Sequence, residues 1–349
     1  MLVTIFVTIP RVNGAECNYS AAIEEFACSG QENLIEIKSE AVGPIQFIVP
    51  ELAENTLFSR RWYGRLADNT NVYSSSTRAG APLRNGGDGY LFATILRQLQ
   101  NDAGETWYEI NPGEYVHEND IQVAQPSDFQ GVETTSQPER PFGWVVQEVR
   151  PSRQPGGEPD PNFDKLPRFT LVEIFDSVKG KDDWIWYDIG DGRWAKQIYF
   201  SIVDVDPRPK GIGKDEFWAE VDLFEQTFAA YEGDRLVYAT LISSGLNQWP
   251  TNEGLFQVWD RFQEYKMSGA EGQEDYYFLE DVPYIMYFDD LNGIALHGTY
   301  WHDRFGYKHS HGCVNMPIKD AEWTFNWSAE APNDLWVWVH TSDPVGHLE

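Results

Sequence analysis

Short runs in which apolar and polar residues alternate dominate the chain, and clusters of Gly, Pro, Asn and Asp separate them. Residues 90–95 and 169–174 are two such runs, and residues 235–242 follow Gly233-Asp234, a dipeptide that favours a tight hairpin. Because successive side chains of a strand point to opposite faces, this pattern predicts a mostly β protein.

One pattern of strands and turns is repeated at an offset of 79 residues without slipping in register. The match extends over about fifty residues, a length that argues against chance. Each copy has a Trp-centred strand, a Gly turn and another strand, and in this respect it resembles bacterial SH3-like modules. The sequence therefore predicts two small SH3-like barrels. The matched pairs include Gly64 and Gly143, Ile95 and Ile174, Trp107 and Trp186, and Gly113 and Gly192.

Changes in composition divide the chain into segments. The stretch between the two repeats is polar and flanked by Pro, which is typical of a linker. A second break lies near Pro207, and the composition changes after it. We therefore expect a signal peptide remnant at residues 1–16, an N-terminal segment at 17–55, repeat 1 at 56–124, a linker at 125–140, repeat 2 at 141–206 and a C-terminal domain at 216–341.

The pattern of the C-terminal domain predicts strands on both sides of Asn292-Gly293, with His297 at the end of the second strand. Pro317 begins a predicted helix, because proline is favoured in the first turn of a helix. Residues 335–339 form a predicted closing strand. The domain should therefore be rich in strands, with one clear helix.

The first residues indicate export. Residues 2–9 are mostly apolar, and a polar stretch follows, as at the end of a signal peptide; an edge strand is the alternative. No other apolar run approaches the ~20 residues that a membrane-spanning helix needs, so no further membrane span is expected. An exported protein can carry a disulfide, for which Cys17 and Cys28 are candidates, and this leaves Cys313 as a free thiol.

The charge of the chain limits its partners. It has 26 basic and 55 acidic residues and a formal net charge of −29. Such a charge repels the phosphates of nucleic acids and anionic membrane surfaces, so we expect no nucleic acid partner. An acidic substrate would have to be held by local contacts that overcome the overall repulsion.

The candidate chemistry is concentrated around Cys313. A thiol is a weak nucleophile until it ionises, and a neighbouring imidazole can take its proton. His297 lies 16 positions upstream on its own predicted strand, and the loop between them is long enough to fold back. Gly312 lets a substrate approach the backbone, and the amides of Gly312 and Cys313 can then bind an oxyanion. The sequence therefore predicts a cysteine nucleophile with a histidine base.

His297-Gly298, followed after a loop by residues 310–315 (Ser-His-Gly-Cys-Val-Asn), resembles the signature of the L,D-transpeptidase (YkuD-like) catalytic domain. The resemblance covers roughly residues 216–341. It implies a β-sandwich with one or more short helices, located in the cell wall or on the outer face of the cytoplasmic membrane. It also implies that the domain builds peptide cross-links in peptidoglycan, with a donor tetrapeptide stem and an acceptor amine as partners and without a metal or organic cofactor.

The resemblance also implies a role for each matched position. Cys313 corresponds to the nucleophile and His297 to the base, while the Gly298 carbonyl orients the imidazole. Some members of the family carry Ser at the position of Gly298. In this chain only the backbone carbonyl can orient the imidazole there. His311 would shape the site, Asn315 would tie the turn to the helix, and the amides of the motif would form the oxyanion hole. Ser310, His311, Gly312 and Asn315 together fill the rest of the motif.

Other side chains of this segment have two interpretations each. Tyr300 and Trp301 follow the base and could form an aromatic lid over the stem peptide, although aromatic residues are more often part of a core. Arg304 and Lys308 could bind substrate carboxylates or could simply be solvated.

Alternative functions are also open. His309, His311 and Cys313 alternate and are zinc ligand types, so a metal site is one alternative to the cofactor-free chemistry. An L,D-carboxypeptidase would result if water replaced the acceptor amine. A wall-binding scaffold with an idle thiol is a third possibility. In the favoured interpretation, a cross-linking L,D-transpeptidase, the two repeats hold the catalytic domain on peptidoglycan or act as spacers.

Overall fold

The computed structural model describes residues 17–20, 25–28, 47–51 and 56–342. The chain divides into two compact units, residues 1–45 and 46–349. In the first unit, β1 (Cys17–Ser20) and β2 (Glu25–Cys28) form an antiparallel hairpin whose register pairs Cys17 with Cys28. The disulfide between them stays a prediction, and the expected signal peptide remnant lies outside the described residues.

The first part of the second unit contains short strands and one short helix. Its elements are β3 (Phe47–Ile48), α1 (Leu57–Arg60), β4 (Trp62–Leu66), β5 (Asn71–Val72), β6 (Arg84–Asn85), β7 (Tyr90–Ile95), β8 (Arg97–Gln100), β9 (Thr106–Asn111), β10 (Glu114–His117), a 3₁₀ helix (Glu118–Asp120) and β11 (Ile121–Val123).

A second set of strands follows. It consists of β12 (Val132–Thr134), β13 (Phe142–Val145), β14 (Leu171–Glu173), β15 (Asp176–Lys179), β16 (Ile185–Asp188), β17 (Trp194–Lys196), a 3₁₀ helix (Gln197–Tyr199) and β18 (Phe200–Val203).

The C-terminal part has longer strands and the second α-helix. Its elements are β19 (Phe217–Asp222), β20 (Thr227–Glu232), β21 (Arg235–Leu241), β22 (Gly254–Gln257), β23 (Asp260–Gly269), β24 (Tyr277–Asp289), β25 (Ile294–Thr299), β26 (Val314–Pro317), α2 (Ile318–Ser328) and β27 (Trp336–His340).

The two repeats share one topology, as the sequence offset predicts. In repeat 1, β4 pairs with β11 and β7, and the meander β8-β9-β10 precedes the 3₁₀ helix. In repeat 2, β13 pairs with β18 and β14, and the meander β15-β16-β17 precedes the 3₁₀ helix. Repeat 1 has the additional pair β5-β6. The two 3₁₀ helices begin at Glu118 and Gln197, again 79 residues apart. Whether these modules are SH3-like barrels stays a prediction, but the internal repeat is a property of the fold.

Two seven-stranded sheets contain the strands of the C-terminal domain together with strands from earlier in the chain. Sheet A has the order β22-β27-β19-β20-β21-β12-β3, and sheet B has the order β11-β4-β7-β24-β25-β26 with β23 paired to β24. β7 of repeat 1 runs parallel to the start of β24, with Tyr90 opposite Tyr277. Repeat 1 therefore continues the sheet of the C-terminal domain. The mostly β fold class is confirmed.

The segment expected to be a linker takes part in sheet A. β12 lies inside residues 125–140 and pairs with β21 on one side and with β3 on the other. Its composition is polar on average, but Phe129 and Val132 are buried in the core beside sheet A. The average composition of the segment therefore did not reveal the two apolar residues that pack it against the domain.

Sheet A is buried on both faces. Ala219 and Val221 face a core shared with sheet B and α2. On the opposite face, Trp218 stacks on Tyr231 with ring centroids 4.0 Å apart, in a core that includes Phe142 of repeat 2. A sheet covered on both sides carries nearly continuous apolar runs, which is why β19 to β21 show little alternation.

α2 is anchored to sheet A by a buried carboxylate. The helix begins after Pro317, as predicted, and Asp320 lies in its first turn. Asp320 Oδ1 accepts hydrogen bonds from the Tyr238 hydroxyl at 2.6 Å and the Gly131 amide at 2.9 Å. These bonds hold the helix, β21 and the segment before β12 together. Among the described residues, no helix is both long enough and apolar enough to cross a membrane.

Gly143 in β13 provides a test of the packing within repeat 2. A Cβ at this position would lie 2.0 Å from the Ser201 carbonyl oxygen, because β18 crosses closely at this point. Gly143→Ala should therefore destabilise the protein by about 2–3 kcal/mol, as overpacking does, measured as a shift in urea unfolding. Gly80→Ala is the control, since a Cβ there meets nothing within 4 Å. Equal unfolding midpoints for the two variants would contradict this account.

Candidate active site

Parallel pairing of β25 and β26 brings the predicted base and nucleophile together. His297 lies opposite Asn315, and Leu296 lies opposite Val314. Cys313 immediately precedes β26, so its thiol and the imidazole line the same cleft, which has a volume of about 570 Å³. His297 is an interior residue of β25, not the end residue that the sequence pattern predicted.

His297 is held in one tautomer by the backbone. Its Nδ1 lies 3.1 Å from the Gly298 carbonyl oxygen. A carbonyl only accepts hydrogen bonds, so Nδ1 carries the hydrogen and Nε2 presents a lone pair. Burial lowers the pKa of His297 to about 4, so the imidazole is neutral at pH 7. A Cβ at Gly298 would lie 2.9 Å from Pro283 Cγ, which disfavours a side chain at this position.

Cys313 is a free, partly exposed cysteine. Its Sγ is directed at the Gly293 carbonyl oxygen, 4.0 Å away. Burial of the sulfur raises the pKa of the thiol to about 11, so the resting group is protonated at neutral pH. In the described part of the chain, no hydrogen bond links Cys313 to His297. The thiol is thus not bonded to the imidazole in this conformation.

The turn before Cys313 is tied by Ser310. The Ser310 hydroxyl donates to the Cys313 carbonyl oxygen and accepts from the Gly312 amide at 3.1 Å. Gly312 has φ +117°, a conformation that L side chains rarely adopt. The prediction that the Gly312 amide is free for an oxyanion is therefore wrong, since Ser310 already occupies it. The Cys313 amide is the predicted donor that remains.

A second hydroxyl, which the sequence analysis missed, holds the same turn. Thr251 Oγ1 donates to the Gly312 carbonyl oxygen at 2.7 Å and accepts from the Gly245 amide at 2.9 Å. Thr251 is buried and lies about sixty positions from the turn, so no local motif marks it. The turn is therefore fixed at both its amide and its carbonyl side.

Asn315 contacts a histidine, not the helix that the family resemblance implied. Its side-chain amide lies 2.8 Å from His302 Nε2, and its backbone exchanges two hydrogen bonds of 2.9 Å with Ser243. Nδ1 of His302 accepts the Arg304 amide at 3.0 Å. His302 thus lies behind the turn, between Asn315 and the Arg304 amide.

The aromatic residues near the site separate into two groups. Trp301 lines the cleft, with its ring centroid 5.6 Å from that of His297. Tyr300 is 1% exposed and stacks on Tyr63 of repeat 1 at 3.6 Å, so its ring lies in the core and not over the cleft. His311 packs against Trp249, with ring centroids 4.0 Å apart, and so shapes the cleft wall.

The possible zinc ligands do not converge. Within the described residues, the His309, His311 and Cys313 donor atoms are not among those that lie within 4.8 Å of one another; the group that meets this distance is Asp206, Glu220 and His340. Its Glu220 and His340 are already joined by a hydrogen bond of 2.7 Å.

Repeat 1 contributes residues to the cleft that the sequence analysis did not identify. Tyr90 lies in β7, and its hydroxyl donates to the Trp301 carbonyl oxygen at 3.2 Å. All the cleft residues from repeat 1 belong to a different predicted domain from Cys313, so nothing in the local sequence linked them to the site. The contributed residues are Arg65, Asp68, Asp88, Gly89 and Tyr90.

Known proteins resemble the C-terminal domain. Residues 216–345 match the YkuD family, the L,D-transpeptidase catalytic domain. YciB of Bacillus subtilis (strain 168), named as a candidate L,D-transpeptidase, is 29% identical over 127 residues, which are 33% of this chain and 62% of YciB. The chain thus spans less than two thirds of that relative.

Solved structures of the same class also match. The catalytic domain of an Enterococcus faecium L,D-transpeptidase is 28% identical, with 37% of this chain and 100% of that chain covered and a TM-score of 0.32. The Ldtfm-avibactam carbamoyl enzyme is 29% identical, with 38% and 50% covered and a TM-score of 0.33. The resemblance to the L,D-transpeptidase catalytic domain is confirmed for residues 216–345.

The pKa of Cys313 provides a test of the thiol environment. Because burial raises this pKa to about 11, the rate of alkylation by iodoacetamide should still increase between pH 9 and pH 10. Mass spectrometry of the peptide that contains Cys313 follows the rate, and circular dichroism at each pH verifies that the protein is folded. A rate that is half-maximal near pH 8.5 and levels off by about pH 10, as for an ordinary cysteine, would contradict the raised pKa.

Proposed function

We propose that this chain, whose residues 216–345 match the L,D-transpeptidase catalytic domain, joins peptidoglycan stem peptides through a thioester on Cys313. The observation that carries the proposal is the presence of one cleft lined by both Cys313 and His297, with the His297 Nε2 lone pair made available by the Gly298 carbonyl. The expected export of the chain fits a substrate that lies outside the cytoplasmic membrane.

The first half of the reaction forms the thioester. The Cys313 thiol turns from Gly293 to His297, which takes its proton as the sulfur attacks the carbonyl carbon of the third residue of a tetrapeptide stem. The Cys313 amide binds the resulting oxyanion. The carbon–nitrogen bond then breaks, His297 gives its proton to the amine of the leaving D-alanine, and the thioester remains.

The second half transfers the acyl group. An amine of a neighbouring stem attacks the thioester carbonyl and gives its proton to His297. The carbon–sulfur bond breaks, and the sulfur regains a proton from the imidazolium. One amide bond has been exchanged for another, so the chemistry balances without a metal or organic cofactor.

The acid–base properties of the pair define how this mechanism starts. Burial lowers the pKa of His297 to about 4 and raises that of Cys313 to about 11, so both groups are neutral between these values. The reaction therefore begins from thiol and imidazole, and the proton moves as the substrate is attacked.

The central test is mass spectrometry of muropeptides after incubation with the protein. We expect dimers joined from third residue to third residue, and none with Cys313→Ala. His297→Ala should lower turnover by about 10²- to 10⁴-fold, since a general base contributes that much. His309→Ala, which alters another histidine of the cleft, should change turnover by less than about tenfold.

Other product patterns in that experiment would support the alternatives. Trimmed tripeptides without dimers would identify an L,D-carboxypeptidase, in which water resolves the thioester. Unchanged stems, together with no adduct on Cys313 after treatment with a carbapenem, would indicate a scaffold with an idle thiol and would overturn the proposal.

The pH dependence of kcat/KM is a further expectation. His297 must be neutral to accept a proton, and its pKa of about 4 lies below the ordinary value of 6.5. Activity should therefore stay constant as the pH falls from 7 to about 5 and should decline only as the pH approaches 4. Initial rates with a stem peptide, compared with unfolding followed by fluorescence at the same pH, test this. A decline centred near pH 6.5 in folded protein would exclude a buried neutral base.

A further inference from the structure

The wall of the cleft that repeat 1 provides is fixed in place by backbone bonds. The Tyr90 amide donates to the Tyr276 carbonyl oxygen at 2.9 Å, next to the parallel pairing of β7 with β24. Gly89 has φ +138°, and a Cβ there would lie 2.7 Å from that same oxygen. The Tyr90 hydroxyl bonds the Trp301 backbone on the other side. Repeat 1 therefore forms one wall of the cleft.

The residues that line the cleft carry more negative than positive charges. Of the described residues that line it, Arg65 alone carries a permanent positive charge, and the four carboxylates are those of Asp68, Asp88, Glu274 and Asp275. A substrate carboxylate that enters the cleft is repelled by these groups and by the net charge of the chain, −29. Arg65 is the group that can offset this repulsion.

Arg65 contacts an aromatic ring, and none of the described carboxylates forms an ion pair with it. Its guanidinium carbon lies 4.9 Å from the Tyr90 ring centroid, a cation–π contact that limits its motion. Its side chain is exposed, and it forms no ion pair with a described residue. Three other arginines of the same repeat are paired: Arg78 with Asp120, Arg84 with Glu114, and Arg97 with Glu109.

We propose that Arg65 binds a carboxylate of the donor stem peptide and so determines the preference of the enzyme for an anionic stem. The inference rests on the proposed function. A guanidinium presents a planar pair of N–H groups that matches a carboxylate, so this contact selects geometry as well as charge. Arg304 and Lys308, which the sequence analysis considered for this role, do not belong to the described lining of the cleft.

The test compares three synthetic tetrapeptide stems: the free acid, the same peptide with its terminal carboxylate amidated, and the same peptide with its internal side-chain carboxylate amidated. Arg65→Gln should lower kcat/KM for the free acid by about 10- to 100-fold, mainly through KM, because a charge-assisted hydrogen bond is lost. The variant should no longer distinguish the acid from one of the amides, and that amide identifies the carboxylate. Arg65→Lys should retain part of the preference.

Arg78→Gln is the matched control, because it removes the same charge from the same repeat at a residue outside the cleft lining. It should leave kcat/KM within about twofold, since an exposed ion pair contributes little. If Arg65→Gln and Arg78→Gln behave alike with all three peptides while the unaltered protein turns them over, the Arg65 inference is wrong and the proposed function stands.

Equilibrium binding separates the two hypotheses in the other direction. Isothermal titration of the three stems into Cys313→Ala protein, with and without Arg65→Gln, needs no turnover. Weaker binding of the free acid on loss of Arg65, in a protein whose unaltered form leaves stems intact, would establish the carboxylate site and overturn the proposed function. Absence of binding by every stem would overturn both.

Discussion

The parallel pairing of β25 with β26 is the constraint on which the site depends. Parallel neighbours cannot be joined by a tight turn, so the chain needs a long connection between them. Residues 300–313 provide it, and they carry Trp301, His302 and the Ser310 turn on the way. The same geometry that demands a long loop therefore places His297, the predicted base, on one strand and the Cys313 thiol directly before its neighbour. Sheet register, more than any single contact, fixes their proximity.

Sheet A gives that pair a rigid support. Both of its faces are covered, by sheet B and α2 on one side and by repeat 2 on the other. The Asp320 carboxylate joins α2 to sheet A, and α2 starts where β26 ends. Movement of the strand that follows Cys313 would thus disturb a buried hydrogen bond and the core that contains Val314 and Met316. Such support favours a defined geometry for the cleft that Cys313 and His297 line.

Much of the site could be predicted because its chemistry is local in sequence. Residues 310–313 form a turn directly before β26, and its bonds join residues within four positions of one another, although the sequence analysis did not foresee that Ser310 occupies the Gly312 amide. The repeat could be predicted because its register never slips. Contacts between residues that are far apart in the sequence could not be predicted. The pairing of Tyr90 with Tyr277 joins two predicted domains, and nothing in either segment marks it. Tyr300 follows the base as a lid residue would, yet the direction of the loop sends its ring into the core.

The bridge from β7 to β24 also limits how this protein can be divided or recombined. Without repeat 1, the start of β24 would lose the neighbour that Tyr90 and the residues after it provide, and unsatisfied amides and carbonyls would face solvent along that stretch. Such an open edge invites strand exchange between molecules. A catalytic domain excised at its family boundary would thus differ from the parent protein in its tendency to self-associate. A different N-terminal module could replace repeat 1 only if it supplied a strand that pairs with the start of β24.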